Sequence, residues 1–266
     1  MLSRINLCSI IAAAIIIPSI AQSSLASSIL EPSNGGMRVK LPNGSYKVGK
    51  QLVGGEIIVV NGRSKLRLKV KSAKLDPADK FQEIILYDLV LTQRNHKEQH
   101  ICKADPHGDR AAIIIAGQSN LDGTISLLNN GSFEIACLAG FQAKCVRLGY
   151  APWRITKDGE PMLDWFNSCV RMFRADYCGD GKHYTKNGTV IEFSDSLGIN
   201  KKPENFDFKF EAAWGPHGAV CAAKPRINSI TNLEDLRHSC PRLKDHLGPA
   251  QCSNSEKAYI INYSKN

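Results

Sequence analysis

The chain has 266 residues, with 34 lysines and arginines against 25 aspartates and glutamates, and a formal net charge of +9. Hydrophobic residues make up 43% and charged residues 22%, which excludes disordered, collagen-like and coiled-coil chains. A chain of this length can bury a core of its own. The sequence therefore predicts a globular protein with one large domain or two small ones.

The first 26 residues have the pattern of a secretory signal peptide. Arg4 precedes an apolar stretch at 7–17, and Pro18 and small residues follow it. Cleavage is expected after Ala21 or Ala26, and the polar residues 27–36 are expected to be a flexible lead-in. The apolar stretch is shorter than the roughly 20 residues that span a bilayer, and no later segment is long enough, so we expect no membrane span in the mature chain. The pattern predicts a secreted or periplasmic protein.

Eight cysteines remain after removal of residues 1–26, because Cys8 leaves with the leader. An even number of cysteines in an exported protein indicates disulfides. Four bridges are expected among Cys102, Cys137, Cys145, Cys169, Cys178, Cys221, Cys240 and Cys252. Cys240 and Cys252 flank a short loop that contains Gly248 and Pro249, so they are the one pair that spacing favours. The remaining pairings stay open.

Strand patterns dominate the β-rich region at 37–136. Asn43-Gly44 and Asn61-Gly62 are turn signals between short apolar runs, as in β-hairpins. Strands are expected at 37–41, 45–48, 57–60, 63–70, 83–92, 111–116, 124–128 and 132–136. These runs predict an antiparallel sheet.

Helical patterns appear in the cysteine-rich region at 137–266. Residues 161–175 repeat apolar side chains at three- and four-residue spacing, with Pro161 in the first turn. Helices are also expected at 138–148 and, behind a capping box at 231–234, toward residue 243. Strands are expected at 189–193, 206–213, 219–223 and 258–263.

Together the two regions predict an α+β fold. An N-terminal antiparallel sheet region is followed by a disulfide-bonded segment, in which two or three helices pack on β-hairpins. We expect the two regions to form one unit.

Residues 171–181 read Arg-Met-Phe-Arg-Ala-Asp-Tyr-Cys-Gly-Asp-Gly. This segment resembles the motif after which the bacterial ADYC domain is named. Further matching segments lie at 143–153, 188–189, 210–221 and 240–243, and the resemblance covers roughly residues 47–263. It implies a secreted, cysteine-rich bacterial domain of unassigned activity, with no catalytic residues to carry over.

Asp176, Asp180 and His183 are the candidate catalytic residues. They would serve an unrecognised secreted hydrolase if their side chains met beside a cleft. The structural alternative for Asp176 is a buried ion pair, because a carboxylate near the C-terminal end of a helix opposes the macrodipole. Arg171 or another nearby arginine could supply the partner.

Two cysteine-based sites are the remaining chemical alternatives. Cys178 and Cys221, with His183 and His217, could complete a tetrahedral zinc site. Cys178 could instead act as a nucleophile activated by either histidine. Both alternatives need free thiols, which the expected disulfides would consume.

One strand carries a row of positive charge. Between residues 63 and 71 every odd position is a cation, while leucine and valine occupy the even positions from 66 to 70. The candidate binding residues are Arg63, Lys65, Arg67, Lys69 and Lys71. A strand would place them on one face about 6.6–6.8 Å apart, where they could meet an anionic glycan, lipopolysaccharide or nucleic acid. The alternative is an ordinary solvated face.

The leading hypothesis is an exported binding or interaction module, with a polyanionic surface or another protein as its partner. We expect no cofactor and, beyond the zinc alternative above, no metal site. Whether the chain is an enzyme stays open, although the lack of a recognisable catalytic constellation favours a protein without enzymatic activity.

Overall fold

The structure is a computed structural model. It describes residues 11–16, 28–61, 64–92, 98–128, 130–201, 207–252 and 258–265. The chain divides into two compact units, unit 1 with residues 1–120 and 125–144 and unit 2 with residues 121–124 and 145–266. The expected boundary at residue 137 lies close to this division, and the expectation that the two regions form one unit stays a prediction.

Unit 1 is built from antiparallel strands. They are β1 (Ile11–Ile16), β2 (Ser28–Ser33), β3 (Gly36–Lys40), β4 (Tyr46–Val48), β5 (Glu56–Asn61), β6 (Ser64–Leu75), β7 (Ile85–Thr92), β8 (Glu98–His100), β9 (Ala111–Ala116), β10 (Gln118–Ser119), β11 (Ile125–Ser126) and β12 (Phe133–Cys137). Ten of them form one sheet in the order β12-β9-β7-β6-β5-β1-β2-β3-β4, with β8 beside β7. β10 and β11 pair separately.

β1 comes from the apolar stretch of the expected signal peptide. It pairs with β5 on one side and with β2 on the other. The described core residues of unit 1 all lie after residue 26, beginning at Leu30. The signal peptide itself stays a prediction.

Residues 28–36 of the expected lead-in form β2 and the start of β3, while the flexibility of this segment stays a prediction. β2 and β3 form a hairpin, with Gly35 at a φ of 68° in the turn. Leu30 and Met37 are each 1% exposed. Pro32 and Ser33 are half-buried and Asn34 is exposed in the turn, while Leu30 and Met37 hold the hairpin in the core.

Buried and outward-facing side chains alternate along β6. Leu68 and Val70 point into the core while Lys69 between them faces outward, as the two-residue period of a strand requires. A bulge between Val70 and Ser72 resets the period, so that Ala73 also faces the core.

The core of unit 1 joins the two ends of the large sheet. Side chains from β2 and β3 share one apolar cluster with side chains from β7, β9 and β12. Tyr87 lies at this junction, where its hydroxyl accepts a hydrogen bond from the backbone amide of Met37 at 3.2 Å. Burial raises the pKa of Tyr87 to about 12. The sheet therefore curls on itself around these residues.

Unit 2 contains a four-stranded antiparallel sheet in the order β13-β16-β14-β15. Its strands are β13 (Ile191–Asp195), β14 (Lys209–Gly215), β15 (Gly218–Ala222) and β16 (Ile260–Ser264). The helices of the chain are α1 (Phe141–Arg147), α2 (Leu163–Arg174) and α3 (Leu233–Ser239). The α+β prediction is confirmed. None of the helices in the described part of the chain is long and apolar enough to cross a membrane.

α2 packs on the sheet of unit 2 through the face that its apolar spacing predicted. Trp165, Phe166, Cys169 and Val170 are buried on this face. The Trp165 indole also donates a hydrogen bond to Ser196 Oγ at 3.0 Å. The packing places the C-terminal end of α2, and the motif that follows it, against β14 and β15.

Glu134 on β12 is an acidic side chain inside unit 1. Its neighbours Phe133 and Ile135 belong to the apolar cluster, whereas Glu134 points to the other face of the sheet and is 6% exposed. Its Oε2 atom has no hydrogen-bond partner among the described residues. Burial raises the pKa of Glu134 to about 7, although a hydrogen bond with Ser119 lowers it in part.

We expect Glu134 to make unit 1 less stable as pH rises. The folded pKa lies above the ordinary value of 4.5, so the stabilisation is complete below pH 4.5 and is lost as pH rises through 7. The free energy of unfolding should fall by about 3 kcal/mol across this window. Glu134→Gln should remove most of this dependence in urea titrations between pH 4 and 8. An unchanged pH slope in the variant would contradict the assignment.

Candidate functional site

The motif at 171–181 begins where α2 ends. Ala175 caps the helix with a φ of 49°, and its backbone amide donates to the carbonyls of Arg171 and Met172. This left-handed residue reverses the chain. Asp176 and Tyr177 then enter the interior, where each has 0% exposure.

The Asp176 carboxylate is enclosed by hydrogen-bond donors. Oδ1 accepts from the backbone amides of Gly179 at 2.9 Å and Asp180 at 3.2 Å, and Oδ2 accepts from that of Gly181 at 3.0 Å. The Arg171 guanidinium donates to Oδ2 at 2.5 Å. Arg171 is 3% exposed, so the pair is buried on both sides. The carboxylate thus folds the motif into a closed loop and neutralises Arg171.

Arg171 also ties this loop to two other segments of unit 2. Its second Nη atom donates to Asp122 Oδ2 at 2.5 Å, and its Nε donates to the carbonyl of Pro216 at 3.2 Å. Burial of Asp122 raises its pKa, but hydrogen bonds from Thr124 and the Arg171 charge outweigh burial and hold the pKa below its ordinary value. One guanidinium therefore joins the motif, residue 122 and the turn between β14 and β15.

The motif loop touches the β14–β15 turn backbone against backbone. A Cβ atom on Gly179 would collide with the carbonyl oxygen of His217. A Cβ atom on Gly218 would lie 2.8 Å from both the Gly179 nitrogen and the Tyr177 oxygen. Both glycines have positive φ values, 75° and 118°. The contact needs glycine at both positions for space as well as for backbone angle.

A second buried carboxylate, Glu211 on β14, lies beside the motif. Its Oε1 accepts from the Tyr177 hydroxyl at 2.9 Å and from Arg226 Nη2 at 3.0 Å. Its Oε2 accepts from Arg226 Nε at 3.0 Å and from the Asn262 amide at 2.9 Å. Glu211 has 0% exposure and Arg226 has 5%. Four donors therefore face one carboxylate, and the arginine binds it in the bidentate geometry.

The partners of Glu211 extend this network across unit 2. Arg226 also donates to the carbonyls of Met172 and Phe173 in the last turn of α2, at 2.8 and 3.2 Å. Asn262 on β16 accepts from the Trp214 indole at 2.7 Å. Burial, followed by the Glu211 charge, raises the pKa of Tyr177 well above its ordinary value. The network joins α2, the motif, β14 and β16.

The eight cysteines form four disulfides. The pairs are Cys102–Cys137, Cys145–Cys169, Cys178–Cys240 and Cys221–Cys252. The expected pair Cys240–Cys252 is wrong. Cys240 caps the end of α3 and lies beside the motif, whereas a short 3-10 helix, Ala250–Cys252, carries its cysteine to β15. Closeness along the chain did not indicate closeness in space.

The zinc site and the cysteine nucleophile both needed free thiols, and the disulfides leave none at the cysteines concerned. Cys178 and Cys221 are both bonded to other cysteines. A bridged sulfur offers neither the thiolate for zinc nor the nucleophile for covalent catalysis. Within the described residues no group of three or more histidine, cysteine or acidic side chains could hold a metal ion.

Asp176, Asp180 and His183 do not come together. Asp176 is buried and hydrogen-bonded to Arg171 and backbone amides. Asp180 lies in an exposed turn 3.5 Å from Lys182 Nζ, and the exposed His183 makes no hydrogen bond to either carboxylate. The geometry supports the structural alternative for Asp176, with Arg171 as its partner.

The cationic row of β6 is formed on an inner strand of the large sheet. Arg67 pairs with Glu56 at 2.9 Å, and Lys69 and Lys71 share Glu98 at 3.0 and 3.8 Å. The hydrogen bond and charge of Lys69 lower the pKa of Glu98. Lys65 is exposed and has no ion-pair partner in the described part of the chain. Arg63 lies outside the described residues.

Sequence reasoning missed the Glu211 network and a cavity of about 360 Å³ that Arg226 helps to line. The cavity lies in unit 2, where Lys224, Pro225 and Lys265 contribute to its walls. The signal for the network was a single glutamate inside the apolar run at 210–214 and an arginine shortly after the apolar run at 219–223. Nothing in the sequence indicated that they would meet.

The contact between Gly179 and the β14–β15 turn can be tested with a matched pair of variants. Gly188 has a similar φ of 85°, but a Cβ there would meet nothing within 4 Å. Gly188→Ala should therefore show only the cost of a left-handed residue, about 1–2 kcal/mol. Gly179→Ala should lose about 2 kcal/mol more of the free energy of unfolding, because the turn must move. Equal losses in urea titrations would contradict the proposed contact.

The comparisons with known proteins agree with the motif. The sequence profile of the ADYC domain matches residues 49–228, which includes the motif loop, Glu211 and Arg226. No curated protein and no solved structure matches the chain. Because the matched segment covers more than half of the sequence, the chain belongs to the ADYC domain family.

Proposed function

We propose that the protein is an exported binding module that recognises polyanions through the β6 face. The observation that carries this proposal is the row of cations on the outer side of β6. Arg67, Lys69 and Lys71 keep 56%, 42% and 48% of their side chains exposed although each contacts a carboxylate. An anionic glycan or lipopolysaccharide is the ligand class that fits such a row.

Export is supported by the signal-peptide pattern of the first 26 residues and by the disulfides. Four disulfides are typical of proteins that mature in an oxidising compartment. Cleavage after Ala26 would remove β1 and retain β2, which starts at Ser28. The described core residues of unit 1 would all remain in the mature chain.

The spacing of the row favours an extended ligand. Alternate residues of a strand lie about 6.6–6.8 Å apart on one face. The bulge after Val70 changes the alternation, and Lys74 continues the exposed charge beyond it with an ion pair to Asp109 at 3.3 Å. Surface ion pairs contribute only about 0–1 kcal/mol each, so a polyanion can displace the carboxylates at little cost.

No specific observation favours the alternative hydrolase. Its three candidate side chains are separated, and Asp176 is already satisfied by four donors. A binding role is consistent with a motif whose polar groups serve the fold.

Charge reversal on β6 tests the proposal. The mature protein should be retained on immobilised heparin and lipopolysaccharide. The triple variant Lys65→Glu, Arg67→Glu and Lys69→Glu should bind at least tenfold more weakly, since each cation near an anionic surface contributes about 1 kcal/mol. Raising the salt concentration should weaken the wild-type interaction.

A charge-matched control separates the β6 face from net charge. Lys157, Lys182 and Lys186 are exposed lysines of unit 2, and their reversal to glutamate changes the net charge by the same amount. This control should keep most of the retention. Equal losses in both triple variants, or no retention of the wild-type protein, would contradict recognition by β6.

A further inference from the structure

A cavity of about 360 Å³ lies in unit 2, where Arg226 of the Glu211 network contributes to its wall. Its walls come from two neighbouring segments and from the end of β16. The lining residues are Thr189, Val190, Lys224, Pro225, Arg226 and Lys265, with 227–229. No carboxylate is among them. The size falls within the usual range for small-molecule sites, about 300–1,000 Å³.

Lys224 is held in this cavity by the bend that follows β15. The backbone amides of Ala223 and Lys224 both donate to the Glu211 carbonyl, at 2.8 and 3.3 Å, and Pro225 comes next. The Lys224 ammonium donates to Ser264 Oγ at 3.0 Å and to the Lys265 carbonyl at 3.2 Å. An ammonium has three protons, so one donor remains for a ligand.

The described residues that line the cavity carry positive charge and no carboxylate. Arg226 contributes to the wall, but its guanidinium already binds Glu211, so that pair is neutral. Lys265 is exposed, and its ammonium lies 5.3 Å from the centre of the Phe208 ring. Neither Lys224 nor Lys265 forms an ion pair within the described residues. Two lysines therefore line the cavity, and neither is paired with a carboxylate in the part of the chain that the structure describes.

The remaining walls are apolar or neutral. Val190 is 66% exposed at the cavity, and Pro225 is buried beneath it. Thr189 adds a hydroxyl group. We propose that this cavity binds a small molecule that carries a carboxylate or phosphate group beside an apolar part, with Lys224 and Lys265 binding the anionic group. The proposal does not depend on polyanion recognition by β6.

The direction of the Lys224 pKa shift agrees with an anion site. Partial burial lowers its pKa, and the nearby charges of Lys209 and Arg226 lower it further, against an opposing effect of Glu211. A bound anion would favour the charged form. Binding should therefore take up protons at alkaline pH and weaken as pH rises toward the titration of Lys224.

The test uses four probes with the mature wild-type protein. Benzoate and phenyl phosphate combine an anionic group with a ring, benzyl alcohol is a neutral analogue, and inorganic phosphate lacks the apolar part. Side-chain and backbone NMR shifts should locate the two anionic ring compounds at Lys224 and Lys265. The affinities of benzoate and phenyl phosphate should exceed those of benzyl alcohol and inorganic phosphate by about tenfold. The ratio of the benzoate affinity to the phenyl phosphate affinity distinguishes a carboxylate site from a phosphate site.

Two variants with matched controls assign the site. Lys224→Met keeps the aliphatic stem and removes the charge, so affinity should fall about tenfold or more, as expected for loss of a charged hydrogen bond. Lys157→Met removes an exposed charge away from the cavity and should change nothing. Val190→Asp should weaken binding of the two anionic ring compounds, because its carboxylate repels them. Val190→Asn has a side chain of the same shape as aspartate but no charge, so it should bind them nearly as the wild-type protein does.

Particular outcomes would overturn the proposal. Equal affinity for benzyl alcohol and benzoate would show that charge is not recognised. NMR shifts confined to β6 would show that the anionic compounds bind there and not in the cavity. Unchanged affinity in both Lys224→Met and Val190→Asp would exclude the cavity as the binding site. Val190 is exposed, so its two variants remain informative if the Lys224 variant fails to fold.

Discussion

Unit 2 depends on one buried carboxylate, that of Glu211, and on the four donors that face it. Without those donors a charge at 0% exposure would be strongly unfavourable. Tyr177, Arg226 and Asn262 supply them from the motif loop, from the segment after β15 and from β16. All of these donors bind the same carboxylate on β14. The motif loop can therefore reach its position only when the sheet of unit 2 is formed around Glu211.

This arrangement explains why the family motif carries little visible chemistry of its own. Asp176 closes its loop, Arg171 joins that loop to Asp122, and Gly179 permits the backbone contact with the β14–β15 turn. The polar groups of the motif form hydrogen bonds and ion pairs that stabilise the fold. The two surfaces that we propose for binding lie outside it, on the outer face of β6 and in the cavity beside Lys224.

Local patterns predicted most of the elements but few of the long-range contacts. Apolar spacing identified α2, and alternation identified β6, because both signals lie within one element. β2 was missed since Pro32 and serines conceal a short strand around the buried Leu30. The pairing of cysteines and the meeting of Glu211 with Arg226 depend on how strands register in space. No spacing along the chain encodes these contacts.

A double-mutant cycle on Glu211 and Arg226 tests the central claim most directly, with the free energy of unfolding measured in urea while the disulfides remain intact. Glu211→Gln replaces an acceptor oxygen by an amide donor at a position where four donors point to the carboxylate, and Arg226→Met leaves the carboxylate without its cation. Each single variant should lose about 3–5 kcal/mol. The double variant should lose at least 2 kcal/mol less than the two losses together, because the pair acts as one unit. Additive losses, or a loss below about 1 kcal/mol for Glu211→Gln, would contradict the account.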